Sequence, residues 1–248
     1  MFKALFKSLN IEQGEETRVV LLIVQSFFIG IFFATIEISA SSLFMSEYGK
    51  DMLGKAYLIS GLLGIVLTSI YSKLQDWISF SKLAVLNLLF ISIATFLMWM
   101  SFDIYENEWL VFGIFILMGP LYILALVAFS GMASRMFTLR QGKRLFGIID
   151  SGQIFGMILI SLVIPVVIEL IPATKDLILI SAVGITLSLI LQLIISSKFD
   201  LNQSTIQQQT KEVAEKVKVG LGIFFKNKYV MLMSMFVILS MIAAFFTS

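Results

Sequence analysis

The chain has 248 residues, of which 58% are hydrophobic and 14% are charged, and its mean hydropathy is +0.97. It contains neither cysteine nor histidine, which excludes a disulfide scaffold, thiol catalysis, haem or zinc held by those ligands, and a histidine proton relay. The net charge of +2 is too small to indicate nucleic-acid binding.

Seven apolar runs are long enough to cross a bilayer as helices, since each crossing needs about 20 residues. They cover residues 19–44, 56–73, 83–101, 109–133, 146–170, 177–197 and 229–247. The predicted fold class is therefore all-α transmembrane. The first run is too long for a signal-peptide core and lacks a convincing cleavage site, so we expect it to remain as the first span.

Short polar connections separate the first six runs. They lie at residues 46–55, 73–82, 101–108, 134–144 and 171–176, and a longer connection at 198–228 precedes the seventh run. The predicted organisation is an amphipathic cytoplasmic segment at 1–17, a six-span bundle at 18–198, a cytoplasmic linker with an amphipathic helix at 199–228, and a seventh span at 229–248.

Lysine and arginine are distributed unevenly over alternate connections. If the N-terminus is cytoplasmic, the outer segments hold only Lys50, Lys55 and Lys175 of the 18 basic residues. Short cytoplasmic loops carry the excess of positive charge in membrane proteins. The sequence therefore predicts a multi-pass protein of a bacterial-type inner (plasma) membrane with its N-terminus in the cytoplasm.

Glu37 lies in the outer half of the first span, and an ionisable residue inside a span is expensive and often functional. Ser26, Gly30, Ala34, Glu37 and Ser41 fall on one helical face, which we expect to point into the bundle. Glu37 could bind a cation, a proton or a polar solute group. Alternatively, it reaches the outer interface or is satisfied by a neighbouring helix.

A central polar cavity between spans one, two, four and five is the predicted solute site. Its candidate lining residues are Gln25, Glu37, Ser41 and Tyr122.

Asp150 is predicted about one turn inside the cytoplasmic end of span five, with Gln153 one turn further. It could act as a gate residue that pairs with the preceding basic loop. The interpretation we favour is a helix N-terminal carboxylate stabilised by the dipole and by nearby Arg140, Lys143 or Arg144. The candidate gating and cytoplasmic-charge residues are Lys73, Asp76, Arg135, Arg140, Lys143, Arg144, Asp150 and Gln153.

Small residues at helical spacing predict close helix packing. They are Ser60, Gly64 and Thr68 in span two, and Gly152 and Gly156 in span five. Gly119 and Pro120 predict a kink in span four.

No phosphate-binding loop, HExxH or GxSxG motif is present. The sequence therefore predicts a protein that is not an enzyme, with no cofactor and no metal site.

Six spans, a longer cytoplasmic connection and then a new span resemble the first half of a major facilitator superfamily transporter. The short segment Lys73-Leu-Gln-Asp76-Trp77 lies where that superfamily has its signature loop, and Asp76 could stand for the acidic residue of the loop. The glycine and arginine of that loop are missing. The resemblance implies a twelve-span protein, of which this chain would be the first part.

The segment FSGMASRMFTLRQGKRLFGIIDSGQI, at residues 129–154, is similar to the ATP/ADP translocases of plastids and intracellular bacteria, and Lys143-Arg144 is its most specific portion. This resemblance implies nucleotide exchange. However, the basic residue that those proteins carry near the outer end of span one is absent here, and Glu37 would repel an anionic nucleotide.

The leading functional hypothesis is the N-terminal part of an alternating-access transporter in the lipid bilayer. Its partner would be a small-molecule solute: a nucleotide in one version, and another solute coupled to protons in a second. The alternative is a transporter-like domain that no longer transports and that anchors or signals to a partner or fused domain through the basic loop at 135–144. A seven-helix receptor or retinal protein is disfavoured, because its N-terminus lies outside and a retinal protein needs a lysine in its last span.

Overall fold

A computed structural model of the chain describes residues 11–12, 14–104, 108–170 and 174–199, together with eight residues between 228 and 239. The chain divides into two units, Met1–Gln203 and Ser204–Ser248. In the second unit, the eight described residues are helical and exposed. The two predicted amphipathic helices, one near the N-terminus and one within 199–228, and most of the seventh span lie outside the described residues.

The first unit contains six long helices within its described residues. They are α1 (Glu16–Tyr48), α2 (Leu53–Trp77), α3 (Phe80–Ile104), α4 (Glu108–Met136), α5 (Leu139–Leu170) and α6 (Asp176–Lys198). All six are long and apolar enough to cross a membrane. The all-α class is confirmed for the described residues, and each of the first six predicted spans lies inside one of these helices.

The helices extend beyond the apolar runs that predicted them, most of all at the start of α5. The connection predicted at 134–144 is wrong, because only Phe137 and Thr138 separate α4 from α5. The Thr138 backbone N–H donates to Gln141 Oε1 at 3.0 Å, and the Gln141 N–H lies 3.4 Å from Thr138 Oγ1. This reciprocal capping box begins the helix inside the basic segment.

The helix α1 is at the centre of the bundle and packs against α4, α5 and α6. The helix α3 packs against α4 and α6, and α2 packs mainly against α4. Residue pairs along an interface show whether its two helices run parallel or antiparallel. Gly152 lies against Ile23 and Gly156 against Phe27, so α1 and α5 are parallel.

The pattern of major helix pairs is unchanged when each helix is exchanged with the helix three positions away along the chain. The pair α1–α5 becomes α4–α2, the pair α1–α6 becomes α4–α3, and the pairs α1–α4 and α3–α6 map onto themselves. A hydrogen bond of 2.7 Å joins Ser92 on α3 to Thr186 on α6, and the rings of Phe33 and Tyr122 stack between α1 and α4. Exchanged helices run in opposite directions, and the major helix pairs are symmetric between α1–α3 and α4–α6.

The two helix pairs that this exchange relates, α1–α5 and α2–α4, both use small residues at their interface. Gly30 abuts the backbone of Gln153, and Gly156 abuts the backbone of Phe27. Across α2–α4, a Cβ atom added to Gly119 would lie 2.8 Å from Ser60 Oγ. The close packing predicted from the small residues of spans two and five is thus confirmed.

The two ends of the bundle differ in charge. One end, called here the basic end, holds the starts of α1, α3 and α5 and the ends of α2, α4 and α6. The Arg18 guanidinium ties three of these together, since it donates to the Met136 carbonyl oxygen at 3.3 Å and lies 5.2 Å from the centre of the Phe199 ring. Among described residues, the basic end carries Arg18, Lys73, Lys82, Arg135, Arg140, Lys143, Arg144 and Lys198. The opposite end carries Lys50, Lys55 and Lys175.

Candidate functional site

Glu37 is exposed on α1, between the centre of the bundle and its opposite end. The hydroxyls of Tyr57 on α2 and Tyr122 on α4 lie within electrostatic range of its carboxylate. The Tyr122 ring stacks on Phe33, one turn before Glu37, with ring centres 3.5 Å apart. Glu37 and the two tyrosines within electrostatic range of its charge, Tyr57 and Tyr122, come from three helices, and we call these residues the Glu37 cluster.

An aromatic layer packs between the Glu37 cluster and the opposite end of the bundle. Phe44 is fully buried and stacks on Phe115 of α4, with ring centres 4.2 Å apart. The Tyr57 ring meets Phe115 edge-on at 5.2 Å, and Phe44 also stacks on Tyr48 at 5.2 Å. Such ring contacts stabilise the packing beyond the area that they bury. The layer fixes the positions of α1, α2 and α4 around Glu37.

The other two predicted lining residues occupy different places. Ser41 is half-buried one turn after Glu37, on the same side of α1. Gln25 is fully buried between α1 and α6, where its Nε2 donates to Gln192 Oε1 at 2.9 Å. Gln25 and Glu37 are about 18 Å apart along the helix axis. The structure therefore groups Tyr122 and Ser41 with Glu37 and places Gln25 in a separate polar contact.

A charged cluster joins the start of α1 to the start of α5 at the basic end. The Arg144 guanidinium donates to Glu15 at 2.6 Å and 2.7 Å and to Glu12 Oε1 at 2.7 Å. Glu15 is 6% exposed and also accepts a bond of 2.8 Å from Gln141 Nε2. Hydrogen bonds between a guanidinium and a carboxylate are roughly twice as strong as bonds between neutral groups. This cluster, Glu12, Glu15, Gln141 and Arg144, is called the Arg144 cluster.

The remaining charge candidates at the basic end differ in their surroundings. The Arg135 guanidinium lies 3.8 Å from the centre of the Phe80 ring, a cation–π contact between α4 and α3. Lys73, Asp76, Arg140 and Lys143 are exposed.

Asp150 lies about three turns into α5, because the helix begins at Leu139 and not near residue 146. The expected dipole stabilisation of Asp150 does not apply, since it is confined to the first turn of a helix. One of its three proposed basic partners, Arg144, is engaged with Glu12 and Glu15. Asp150 is exposed, and the Gln153 side chain is half-buried one turn further on.

Sequence reasoning missed Glu12, Glu15 and Gln192. The two glutamates precede the first apolar run, and no periodicity links them to a residue so distant in sequence as Arg144. Gln192 could have been identified from the sequence, because it is an amide within the apolar run Leu189-Ile-Leu-Gln-Leu-Ile-Ile195. In the part of the chain that the structure describes, no three acidic side chains converge as a metal site would require.

Comparisons of this chain with models of known protein families, with curated proteins and with solved structures gave no match.

Proposed function

We propose that the six-helix bundle is one half of an alternating-access transporter of the major facilitator type and that the Glu37 cluster lies on its solute path. The observation that carries the proposal is the position of Glu37, a carboxylate within an apolar span with two tyrosines from neighbouring helices around it. Carboxylates at such positions mark solute or proton pathways, because a membrane does not tolerate them cheaply.

The inverted pairing of the helices supports this architecture. Each six-helix half of a major facilitator protein contains two three-helix repeats of opposite topology. The exchange of α1–α3 with α4–α6 preserves every major helix contact in this bundle. In such transporters the solute site lies near the membrane midplane, at the interface between repeats. The Phe33–Tyr122 stack, one turn from Glu37, joins the two exchanged helices α1 and α4.

The chemistry of the Glu37 cluster favours a cationic or neutral polar solute, or a coupled proton, over an anionic nucleotide. Its polar groups are a carboxylate and two phenols, and the faces of tyrosine rings attract cations. The residues grouped with it, Phe33 and Ser41, add no positive charge. Glu37 would repel a nucleotide phosphate. We therefore favour proton-linked transport of another solute over ATP/ADP exchange.

The Arg144 cluster strengthens one of the two close helix pairs of the bundle, α1–α5. It ties the start of α1 to the start of α5 at the basic end, which we propose is the cytoplasmic end because positive charge is retained there. The glycine-mediated contacts along α1–α5 and α2–α4 leave little space within each pair, so we expect each pair to move as a unit.

Uptake into proteoliposomes that contain the full-length protein tests the proposal. Radiolabelled ADP, an organic cation and a neutral polar solute are offered with and without an imposed proton gradient. We expect uptake of the cationic or neutral solute, and at least a tenfold loss in Glu37→Gln. Glu47→Gln is the matched control, since Glu47 is an exposed carboxylate further along the same helix. Equal uptake by Glu37→Gln and the unchanged protein would remove Glu37 from the mechanism.

A second function, anchoring or signalling without transport, is favoured by one observation. Arg140 and Lys143 are exposed on the first turns of α5, beside Arg144, which is already paired. They therefore present positive charge on a fixed helix rather than on a loop. The absence of uptake for every solute, combined with binding of an acidic partner that Arg140→Gln and Lys143→Gln abolish, would favour this second function.

A further inference from the structure

We propose that a groove between α2 and α3 binds one anionic phospholipid, with an acyl chain in the groove and the phosphate at the basic end. The two helices follow each other in sequence but make little contact. The space between them is a cavity of about 290 Å³ with α4 as its floor at Leu124. Its apolar walls include Leu67, Ile70, Leu74, Leu83, Leu86 and Phe90. This binding site does not depend on the transport proposal.

The length of the groove matches one leaflet of a bilayer. On α2 its lining extends from Ile78, at the basic end, to Leu67. At about 1.5 Å per residue this stretch is roughly 16 Å long. The hydrocarbon core of a bilayer is about 30 Å thick. The groove therefore accommodates a chain that enters from the basic end and stops near the midplane.

The interior of the groove selects hydrocarbon. The one amide in its lining, Asn87, is 7% exposed and donates from Nδ2 to the Leu124 carbonyl oxygen at 2.9 Å. The buried Tyr71 side chain also lines the groove, with Gln75 as a neighbour of its hydroxyl. Because the polar groups are few and lie at the floor or the mouth, a lipid headgroup has no place inside.

Positive charge lies at the basic end beside the groove. Lys73 and Lys82 are exposed, and each directly precedes a lining residue, Leu74 or Leu83, in the sequence. Arg135 lies over the Phe80 ring and within electrostatic range of Tyr71. The exposed carboxylate of Asp76 is on the same connection and offsets part of this charge.

Three cations against one carboxylate favour a headgroup with a net negative charge. Basic pockets between spans on the cytoplasmic side are suited to such headgroups. A zwitterionic lipid could fill the groove equally well with its acyl chain but would gain less from the mouth. We therefore assign the site to an anionic phospholipid such as phosphatidylglycerol.

Tryptophan quenching by brominated lipid tests this assignment. Leu86→Trp places a reporter on the groove wall of the full chain, in vesicles of phosphatidylcholine with a minority of phosphatidylglycerol. Bromine is placed on the acyl chains of one lipid at a time, at equal mole fraction, and the signal of the native tryptophans is subtracted. We expect quenching of Leu86→Trp to be several-fold greater with brominated phosphatidylglycerol than with brominated phosphatidylcholine.

A tryptophan at the same depth but outside the groove is the control. It distinguishes specific lipid binding in the groove from enrichment of anionic lipid around the whole protein. Leu193 is exposed on α6, at a depth from the basic end similar to that of Leu86. We expect Leu193→Trp to be quenched equally by both lipids, and Lys73→Gln with Lys82→Gln to remove the preference at Leu86→Trp. Equal quenching at Leu86→Trp, or the same preference at Leu193→Trp, would overturn the proposal.

Retention of lipid by the chain without added tryptophan gives a second measurement. Mass spectrometry of the intact protein, released from detergent, counts bound phosphatidylglycerol. We expect one retained molecule in the unchanged protein and loss of it in the Lys73→Gln, Lys82→Gln double variant. Retention by both proteins would count against the basic mouth.

Discussion

Gly30 on α1 lies against the backbone carbonyl of Gln153 on α5, with no space for a Cβ atom between the two helices. The backbone on the other side cannot rotate away as a side chain could. Gly152 and Gly156 continue the same contact against Ser26 and Phe27. The pair α1–α5 therefore depends on the absence of side-chain atoms at this position.

Gly30→Ala is expected to separate α1 from α5 and to lower the free energy of unfolding by about 1–3 kcal/mol, the usual cost of overpacking. Unfolding in mixed detergent micelles, followed by helical circular dichroism, measures this loss. Gly61→Ala is the control, because nothing lies within 4 Å of a Cβ atom at Gly61. It should be neutral or slightly stabilising. Equal stability of Gly30→Ala and the unchanged protein would contradict the close approach.

The equivalent contact between α2 and α4 should be more tolerant. A Cβ atom at Gly119 would meet only the Ser60 hydroxyl, at 2.8 Å, and that hydroxyl can rotate. Gly119→Ala is therefore expected to cost less than Gly30→Ala in the same assay. A larger loss for Gly119→Ala would show that α2–α4 is the tighter of the two pairs.

The sequence predicted the all-α class and the positions of the first six spans, because apolar runs of bilayer length dominate the pattern. The predicted helix ends were inaccurate where a helix continues into polar residues. Thr138 and Gln141 begin α5 within a segment that hydropathy assigns to a loop. Helix pairing was not predictable either, since the spacing of Gly152 and Gly156 shows a packing face but not which helix it meets.

The candidate site could be predicted in part. Glu37 stands out as a charge within an apolar run, and Tyr122 and Ser41 were chosen with it. Tyr57 was not, because no local pattern places the start of α2 beside α1. Gln25 was assigned to the same cavity although it bonds to Gln192, since a single sequence does not show the partner of a buried amide.

The Gln25–Gln192 hydrogen bond should couple α1 and α6 energetically. Gln25→Leu leaves Gln192 without its donor, and the double variant with Gln192→Leu removes both groups. We expect a coupling energy of about 0.6 kcal/mol and at most about 1.7 kcal/mol, the range for polar pairs in membrane bundles. A double-mutant cycle in mixed micelles gives this value. Gln25→Leu combined with Asn87→Leu is the additive control, because Asn87 bonds to α4.

Arg144→Gln is expected to destabilise the basic end by about 2 kcal/mol, because Glu15 would be left buried without its cation. The figure is below that of a fully buried pair, since the Arg144 side chain keeps 20% exposure. Unfolding in mixed micelles at low and high salt measures the effect.

Lys143→Gln and Glu12→Gln are controls: Lys143 is exposed, and the Glu12 side chain is 73% exposed. Both should change stability by about 0.5 kcal/mol or less. A similar loss in either control would mean that net charge, rather than the Arg144–Glu15 contact, sets the stability of this end.

The charge difference between the two ends predicts the orientation of the bundle. The chain has no native cysteine, so single cysteines can be introduced without background. Lys143→Cys reports the basic end and Lys50→Cys the opposite end, and both positions are exposed. In intact cells, a membrane-impermeant maleimide should label Lys50→Cys, and it should label Lys143→Cys only after the membrane is permeabilised, because basic segments are retained in the cytoplasm. Labelling of Lys143→Cys from outside would invert the bundle and would place the Arg144 cluster, with the proposed lipid mouth beside it, on the external face.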